Sequence, residues 1–372
     1  MKITIERSAL LSSLGHVQSV VERRNTIPIL SNVRLDADSG GKIKLTATDM
    51  DLAVVDTVLA KVEQQGGVTA PAHMLYDIAR KLPDGAEVRI STKGSSEKLT
   101  LESGRFSMSL SCLPIEDFPV MAEGDLPYNF SATAKDIKRL FLKTRFAISQ
   151  EETRHYLNGI YLHSSKADKV ALRAVATDGH RLACIDANPP KNSEDIPGII
   201  VPRKVVGEVL KLLEETDSEV QISLSETKVR FSIGSVTLTS KLIDGSFPDY
   251  ARVIPAGNNE VLSVDRKALS KAVDLVSTVS TEKSRAIKLG LRNSKIIISA
   301  VGPDAGSAEE VVDAKFSGDD FDIGFNARYV LDIADQIEGG SIEFVLADSA
   351  SPTLVRDPED ESAVFVIMPM RV

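Results

Sequence analysis

Apolar residues recur along this chain in two rhythms, every second residue and every third or fourth, and the order of those rhythms repeats three times. Each copy opens with a strand and an amphipathic helix. In MKITIERSALLSSLGHVQSVV the helical phase falls on Ala9, Leu10, Leu14, Val17 and Val21. YNFSATAKDIKRLFLKTRFAI repeats it with Ile137, Leu140, Phe141 and Phe146, and EVLSVDRKALSKAVDLVSTV with Leu269, Ala272, Val273 and Val276. A strand pair follows in each copy: IPILSNVRL with GKIKLTATDMDLAV, HYLNGIYL with KVALRAVATDGHRLACI, and SRAIKLGLRN with KIIISAVGPDAGSAEEVV. Then comes a second strand and helix, led by VTAPAHMLYDIARKL, IIVPRKVVGEVLKLL and FDIGFNARYVLDIADQI, and a closing set of strands.

The register is quantitative. Asp49 and Asp178, in two copies of the triplet ATD, lie 129 positions apart, and so do the dipeptides Phe118–Pro119 and Phe247–Pro248. From Pro202 to Asn326, the matching starts of the second helices, the interval is 124, and three units of that length fill 372 residues. Solenoid repeats are shorter and cannot fold singly, whereas units of this size hold a core each. The pattern predicts an α+β protein of three repeated domains, 1–126, 127–253 and 254–372, each with two helices packed on antiparallel sheets. Boundaries fall near MAEGDLP and IPAGNNE, polar stretches with glycine and proline.

A net charge of −9 argues against simple adhesion to nucleic acid unless the charge is unevenly placed. It is uneven. Residues 135–145 hold Lys135, Lys138, Arg139, Lys143 and Arg145 against Asp136 alone. The windows 6–24, 72–82, 135–145, 203–215, 265–274 and 326–338 together carry +5, which leaves −14 for the rest. The window 326–338, with Asp332, Asp335 and Glu338, breaks the trend at −2. Helices facing phosphates on an acidic protein would give this pattern, and so would solvated helix faces.

Little else invites chemistry. His16, His73, His155, His163 and His180 fall in separate segments without metal-ligand spacing, so no metal is expected. Asp178 and His180 could be imagined in a hydrolase, yet no GxSxG elbow occurs, and no Walker-type loop cradles a nucleotide. The expectation is a protein that is not an enzyme and needs no cofactor. Cys112 and Cys184, in LSCLP and RLACI, read as buried structural thiols. Glu6 and Arg7 interrupt any signal-peptide core, and no run of about 18 apolar residues exists, so the expected location is cytoplasmic.

TIPILSN, TRHYLNGIYL, VATDGHRLA, VPRK, TSKLIDGSFPDYARVIP, GFNARYVLD and the terminal MPMRV, in this order within the triplicate layout, resemble the bacterial DNA sliding-clamp family, the beta subunits of DNA polymerase III. The resemblance implies a head-to-tail homodimer whose six domains ring duplex DNA, with helices facing the hole. DNA held topologically needs only weak contacts to the backbone. Expected partners are duplex DNA, a second copy of the chain, polymerases, the clamp loader and repair proteins that carry short peptide motifs.

What the resemblance implies for individual residues can be stated in this numbering. For partner peptides it points to Leu157, Thr177, Gly179, His180, Arg181 and Leu182, and then to Pro248, Arg252, Val253, Asn326 and Tyr329. Val366, Met368, Pro369, Met370 and Arg371 would complete that pocket from the C-terminus, a flexible apolar surface with one guanidinium. Pro352 stands where the family commonly keeps serine, which stiffens the rim. For DNA it points to Arg24, Arg203 and Lys204, with Lys138 and Arg139 from the basic helix. His73, where relatives can carry arginine, and Tyr156, read as a strand-start aromatic, are further DNA candidates. Phe106 and Met108, opposite Thr278 and Val279, are the candidates for the dimer seam.

Overall fold

The computed structural model describes residues 1–371 except 25, 93–97, 123, 167–169, 215–216, 281–284 and 303–305. Glu123 of the first linker and Val372 of the terminal MPMRV thus lie outside the described residues. The six α-helices among them are α1 (Arg7–Gln18), α2 (Ala72–Lys81), α3 (Ala134–Arg145), α4 (Arg203–Glu214), α5 (Arg266–Ser277) and α6 (Ala327–Ala334). Two fall in each third of the chain, as the periodicity predicts. None is long and apolar enough to cross a membrane.

The repeat extends to local chemistry. Each odd-numbered helix follows a residue whose side-chain oxygen accepts an N–H of the first turn. Glu6 accepts from Ala9 at 3.3 Å, Thr133 from Asp136 at 3.0 Å and Asp265 from Ala268 at 2.8 Å. The first residue of each also donates its N–H to a loop carbonyl, Arg7 to Ala86, Ala134 to Ser218 and Arg266 to Gly340. Helix phases agree with the pattern: Leu10, Leu14 and Val17, then Ile137, Leu140 and Phe141, then Leu269, Ala272, Val273 and Val276 are all buried. Val21 and Phe146 lie beyond their helix ends. Ala9 is only partly buried.

The chain forms two compact units, and these do not coincide with the three repeats. Residues 1–137, 190–193 and 207–242 make the first, and the remainder the second. Strand pairing supplies the reason. In the first unit Val236–Lys241, from the middle third, pairs antiparallel with Leu52–Leu59, placing Thr239 opposite Ala53. In the second unit Arg181–Ala187 pairs with Asp360–Ile367, placing Leu182 opposite Val366. The middle third therefore lends a set of strands to each unit.

The first unit holds a five-stranded sheet, with Phe106–Ser111 at one edge, and an eight-stranded sheet running from Tyr128–Thr133 to Gly66–Pro71. The second holds a continuous path of twelve strands from Ile199–Pro202 to Phe321–Asn326. All pairing is antiparallel, and Ile3, Leu35, Leu45, Val88 and Ile90 in the first unit, like Ile287, Ile298, Phe325 and Phe365 in the second, are fully buried. The α+β class stands.

Two local expectations change. IPILSNVRL and HYLNGIYL each open with a 3-10 turn, Pro28–Ser31 and Glu152–Leu157, before strands Asn32–Ala37 and Gly159–Ser165. Tyr156 therefore belongs to a 3-10 helix and not to a strand start. Cys184 is buried, but Cys112 is partly exposed, because it follows the edge strand Phe106–Ser111 and has no further strand to cover it.

Candidate peptide-binding site

All sixteen candidate peptide-binding residues fall in the second unit, and the Arg181–Ala187 hairpin and the C-terminal strand carry many of them. Leu182, Val366, Val175 and Cys184 form a buried cluster, and Tyr161, Phe247, Tyr250, Ile254 and Val364 pack on it partly exposed. An apolar strip with an incompletely covered edge is what short peptide anchors need. Leu157 is buried, while Val253 is 41% exposed beside the Tyr250–Arg252 turn. Pro248 lies between Phe247 and that turn. Arg252 reaches solvent, where Asp249 pairs with it at 2.7 Å.

The hairpin turn is built by Thr177 and Asp178. The Thr177 hydroxyl donates to the Arg181 carbonyl at 2.7 Å and accepts the Gly179 N–H at 3.1 Å. Asp178 Oδ1 accepts the N–H groups of His180 and Arg181 at 2.9 and 3.0 Å. Gly179 adopts φ +88°, a conformation in which any side chain is strained, and a Cβ there would also have to displace the end of the Arg154 side chain, 2.8 Å away. Asp178 is thus committed to the turn and to Arg181 Nε at 3.1 Å, a structural use of its carboxylate.

Arg181 is only 7% exposed. Its guanidinium pairs with Asp178 and Asp332, donates to the Phe146 carbonyl at 2.6 Å and lies 4.3 Å from the centre of the Tyr329 ring. The resemblance implies contact with peptide; in the structure these bonds also make Arg181 a support of Tyr329. Tyr329 also stacks on His180, ring centres 6.3 Å apart. Burial pushes the Tyr329 phenol above its usual range, with Asp178 adding to the rise and Arg181 opposing it. It is a neutral aromatic wall at physiological pH.

Behind the cluster a polar chain fixes the other wall. The Ser164 carbonyl can only accept, so His163 Nδ1 donates to it at 2.9 Å, leaving Nε2 to accept the Tyr250 hydroxyl at 2.9 Å in the neutral ring. Burial holds the His163 imidazole below its ordinary pKa, with Arg173 adding to that, against the Ser164 bond and Asp186. Arg173 forks onto Asp186 at 2.6 and 2.8 Å and donates to Tyr250 at 3.4 Å. Tyr161 stacks on Phe247 with ring centres 4.9 Å apart. Neither Tyr161, Phe247, Tyr250 nor His163 figured in the expectation. The repeat could have flagged Phe247, since it recurs at Phe118.

The C-terminal segment closes the arrangement through its backbone. Met368 N–H donates to the His180 carbonyl at 2.9 Å and Met370 N–H to the Gly324 carbonyl at 2.8 Å. Asn326, two residues after that glycine, accepts from Arg328 N–H at 3.0 Å and so caps α6. That is a structural use of its side chain. Met368, Pro369 and Met370 are half-buried and Arg371 is exposed. Pro352, whose carbonyl accepts from Asn258 at 2.9 Å, precedes the strand beside Asp360–Ile367.

Family models for the DNA polymerase III beta subunit match the chain in three consecutive pieces. The N-terminal domain covers residues 1–122, the central domain 132–249 and the C-terminal domain 251–371. The chain belongs to the DNA polymerase III beta subunit family. The beta sliding clamps of Caulobacter vibrioides and Pseudomonas aeruginosa are 50% and 41% identical to it over 373 residues, covering all of both chains in each case. Among solved structures, a DnaN sliding clamp from Bartonella birtlesii bound to griselimycin superposes with a TM-score of 0.97 at 49% identity. A sliding clamp from Caulobacter crescentus gives 0.96 at 50%, and both cover the whole of each chain.

For a member of the DNA polymerase III beta subunit family, the DNA candidates divide sharply. Arg24 and Arg203 are exposed, the latter at the start of α4, where its N–H donates to the Asn158 carbonyl at 3.1 Å. Lys138, Lys204 and Tyr156 are half-buried. His73 turns Nε2 inward to the Val21 carbonyl at 2.8 Å. Arg139 is engaged within its own unit: it donates to the Asp186 carbonyl, to both Asp360 oxygens at 2.9 and 2.7 Å, and to Ser362. Lys143 is buried beside the same Asp360 at 3.2 Å. Two of the five basic residues in 135–145 thus neutralise an internal carboxylate.

The seam candidates separate in the same way. Phe106 and Met108 sit on the edge strand Phe106–Ser111, opposite Ser103 and Leu101 of the next strand. Phe106 is 42% exposed, an apolar end to a row that becomes core at Leu110. Thr278 follows α5 and Val279 lies next to it, close to Leu275, which is 58% exposed.

Proposed function

We propose that two copies of this chain close head to tail into a ring around duplex DNA, and that partner proteins dock short peptides on the apolar strip of the second unit. The chain is a sliding clamp that confers processivity by tethering polymerases, as its curated relatives and the solved clamps support. Its work is topological and mechanical, so no reacting group is required of it. We read its setting as cytoplasmic and its domains as 1–126, 127–253 and 254–372.

The observation that carries the docking site is the buried Leu182–Val366 pair, on which Tyr161, Phe247, Tyr250 and Ile254 pack partly exposed; Val253, Tyr329, Met368 and Met370 would extend it. Leu157, Pro248 and Asn326 frame the strip, Thr177, Gly179 and His180 shape its turn, and Arg252, Pro369 and Arg371 offer polar or rigid rims. At the seam, Phe106 and Met108 of one copy would meet Thr278 and Val279 of the other. An edge strand with unpaired backbone groups is satisfied by such an addition. Arg24, Arg203 and Lys204, with Lys138 and Tyr156, would touch the DNA backbone.

Retention tests this reading. Clamps loaded on nicked circular DNA by an ATP-driven loader should remain through a salt wash and fall off once the circle is cut, because a closed ring leaves only over an end. Equal loss from circular and linear DNA would remove encirclement.

A further inference from the structure

The repeat places a second copy of the docking scaffold in the first unit, with different chemistry on it. Thr48 donates its hydroxyl to the Leu52 carbonyl at 2.8 Å and accepts Met50 N–H at 3.0 Å, while Asp49 accepts from Asp51 and Leu52 at 3.0 and 2.7 Å. This is the Thr177–Asp178 turn again, 129 residues earlier. Ala53 pairs with Thr239 as Leu182 pairs with Val366, and Phe118–Pro119 stands where Phe247–Pro248 stands.

The surface so formed is a groove of about 440 Å³, within the range of ligand sites. Its floor is two cross-strand rows on one face of the eight-stranded sheet. One runs Arg34, Thr46, Val55, Thr237, Ser232, and the other Thr48, Ala53, Thr239, Arg230. Phe118, Pro119, Val120 and Met121 make one wall. In the second unit the corresponding floor positions are Val175, Leu182, Cys184 and Val366, which are buried and apolar. Here Thr46 and Thr239 stand where Val175 and Val366 stand, and the smaller Ala53 and Val55 where Leu182 and Cys184 stand, so hydroxyls interrupt the apolar strip.

Its charge is also distinct. Arg34 is forked onto Asp36 at 2.8 and 3.0 Å, which neutralises both. Lys44, opposite Asp36, is exposed, and Arg230 donates to the Thr239 hydroxyl at 3.3 Å. The lining therefore carries three positive side chains, Arg34, Lys44 and Arg230, against Asp36 alone, on a protein whose net charge is −9. Val120, 76% exposed on the wall, offers an apolar contact in the same groove.

We propose that this groove is a second docking site, taking an extended acidic segment of a partner protein. Carboxylates on the segment would meet Lys44 and Arg230, an aliphatic side chain would lie against Val120 and Phe118, and the threonine hydroxyls would serve its backbone. The repeat analogy rests on the docking role of the second unit, but the groove and its charge do not.

Fluorescence anisotropy on the full-length protein decides the matter, with a labelled heptapeptide of alternating leucine and aspartate as probe and a twin carrying lysine for aspartate. The acidic probe should bind and the lysine twin should not. Arg230→Glu should weaken binding about tenfold or more, the scale of one charge-assisted contact. Val120→Asp, at an exposed position that the fold does not need, should weaken it too. Removal of residues 368–372 should change nothing, since that segment belongs to the other unit. No binding, equal binding of the twin, indifference to both substitutions, or loss on the C-terminal truncation would each overturn the proposal. The last would assign the probe to the established scaffold and leave the docking role there intact.

Discussion

Arg181 lies with its guanidinium 4.3 Å from the centre of the Tyr329 ring while pairing with Asp332 from the same helix as that tyrosine. One buried cation thereby orients an aromatic wall of the docking strip and ties α6 to the hairpin at Thr177–Arg181. Removing it takes the guanidinium from two largely shielded carboxylates, leaving Asp178 its backbone N–H donors and Asp332 the more distant Arg328 at 3.8 Å. Arg181→Ala should destabilise the protein by about 2–4 kcal/mol, the lower part of the range for breaking a buried pair because Asp332 retains some exposure. Urea unfolding measures this. Arg181→Lys should recover part of the stability but less of the peptide affinity, since an ammonium cannot lie flat on the ring and fork at once.

Arg139 and Arg203 should part company in DNA binding. Arg203→Ala, at an exposed helix start, should weaken binding to linear duplex and lower the slope of log K against log salt by about one. Arg139→Ala should leave that slope alone and lower stability, because it deprives Asp360 of its two-pronged partner. A salt titration of both variants separates the roles. An Arg139 variant with a reduced slope and unchanged stability would return that residue to the DNA face.

The helices, their phases and the threefold order were legible because burial imposes a period of 3.6 on residues close in sequence. The inward turn of Arg139 was not. Its acceptors on Asp360 and Ser362 lie 221 and 223 residues away, and a basic residue on a helix reads the same whether it meets phosphate or an internal carboxylate. Tyr156 misled because a 3-10 turn of six residues has too few positions to show a period. The docking strip was named through family resemblance. Physically it needs Leu182 and Val366 paired across 184 positions, a register that no local pattern encodes.

Acid should act on Asp56. Its carboxylate is 2% exposed and accepts Ser13 and Ser235 hydroxyls at 2.7 and 2.6 Å, with His16 Nδ1 at 2.7 Å. Burial alone would raise its pKa, but the bonds from His16, Ser235 and Ser13 outweigh it and hold the group below its ordinary 3.8. A carboxyl lowered in the folded state contributes stability that is fully present above the unfolded value and is lost as pH falls through the folded one. Stability of the wild type should therefore drop from about pH 4 downward more steeply than that of Asp56→Asn, measured by urea midpoints at a series of pH values.

The two thiols should differ in reactivity. Burial pushes Cys184 up to about 12, with Asp186 adding and Arg173 opposing, and encloses it in the Leu182–Val366 cluster. Cys112 is also raised by burial, against a backbone bond at Leu99, but it is partly exposed beyond the edge strand. At pH 8 a disulfide reagent should label Cys112 slowly and Cys184 only on unfolding. Covering of the Phe106–Ser111 edge by a second chain should slow Cys112 further, so labelling that is indifferent to protein concentration across the dimer transition would argue against the proposed seam.

The C-terminal segment offers the most direct test of the docking strip. Met370 is held by its own N–H on the Gly324 carbonyl, so replacing its side chain leaves the backbone bridge in place and isolates the thioether. Met370→Ala should weaken a polymerase tail peptide by about 1–2 kcal/mol, the low end of losses at anchor positions. Removing MPMRV takes away the Met368 bond to His180 as well, and with it the segment that lies over the hairpin. Peptide binding should then vanish in calorimetry. The dimer should survive by sedimentation, because Phe106, Met108, Thr278 and Val279 belong to other elements. In the intact protein each chain carries one strip, so a dimer should titrate with two peptides. Unchanged peptide affinity in a folded, dimeric truncation would place the partner site elsewhere.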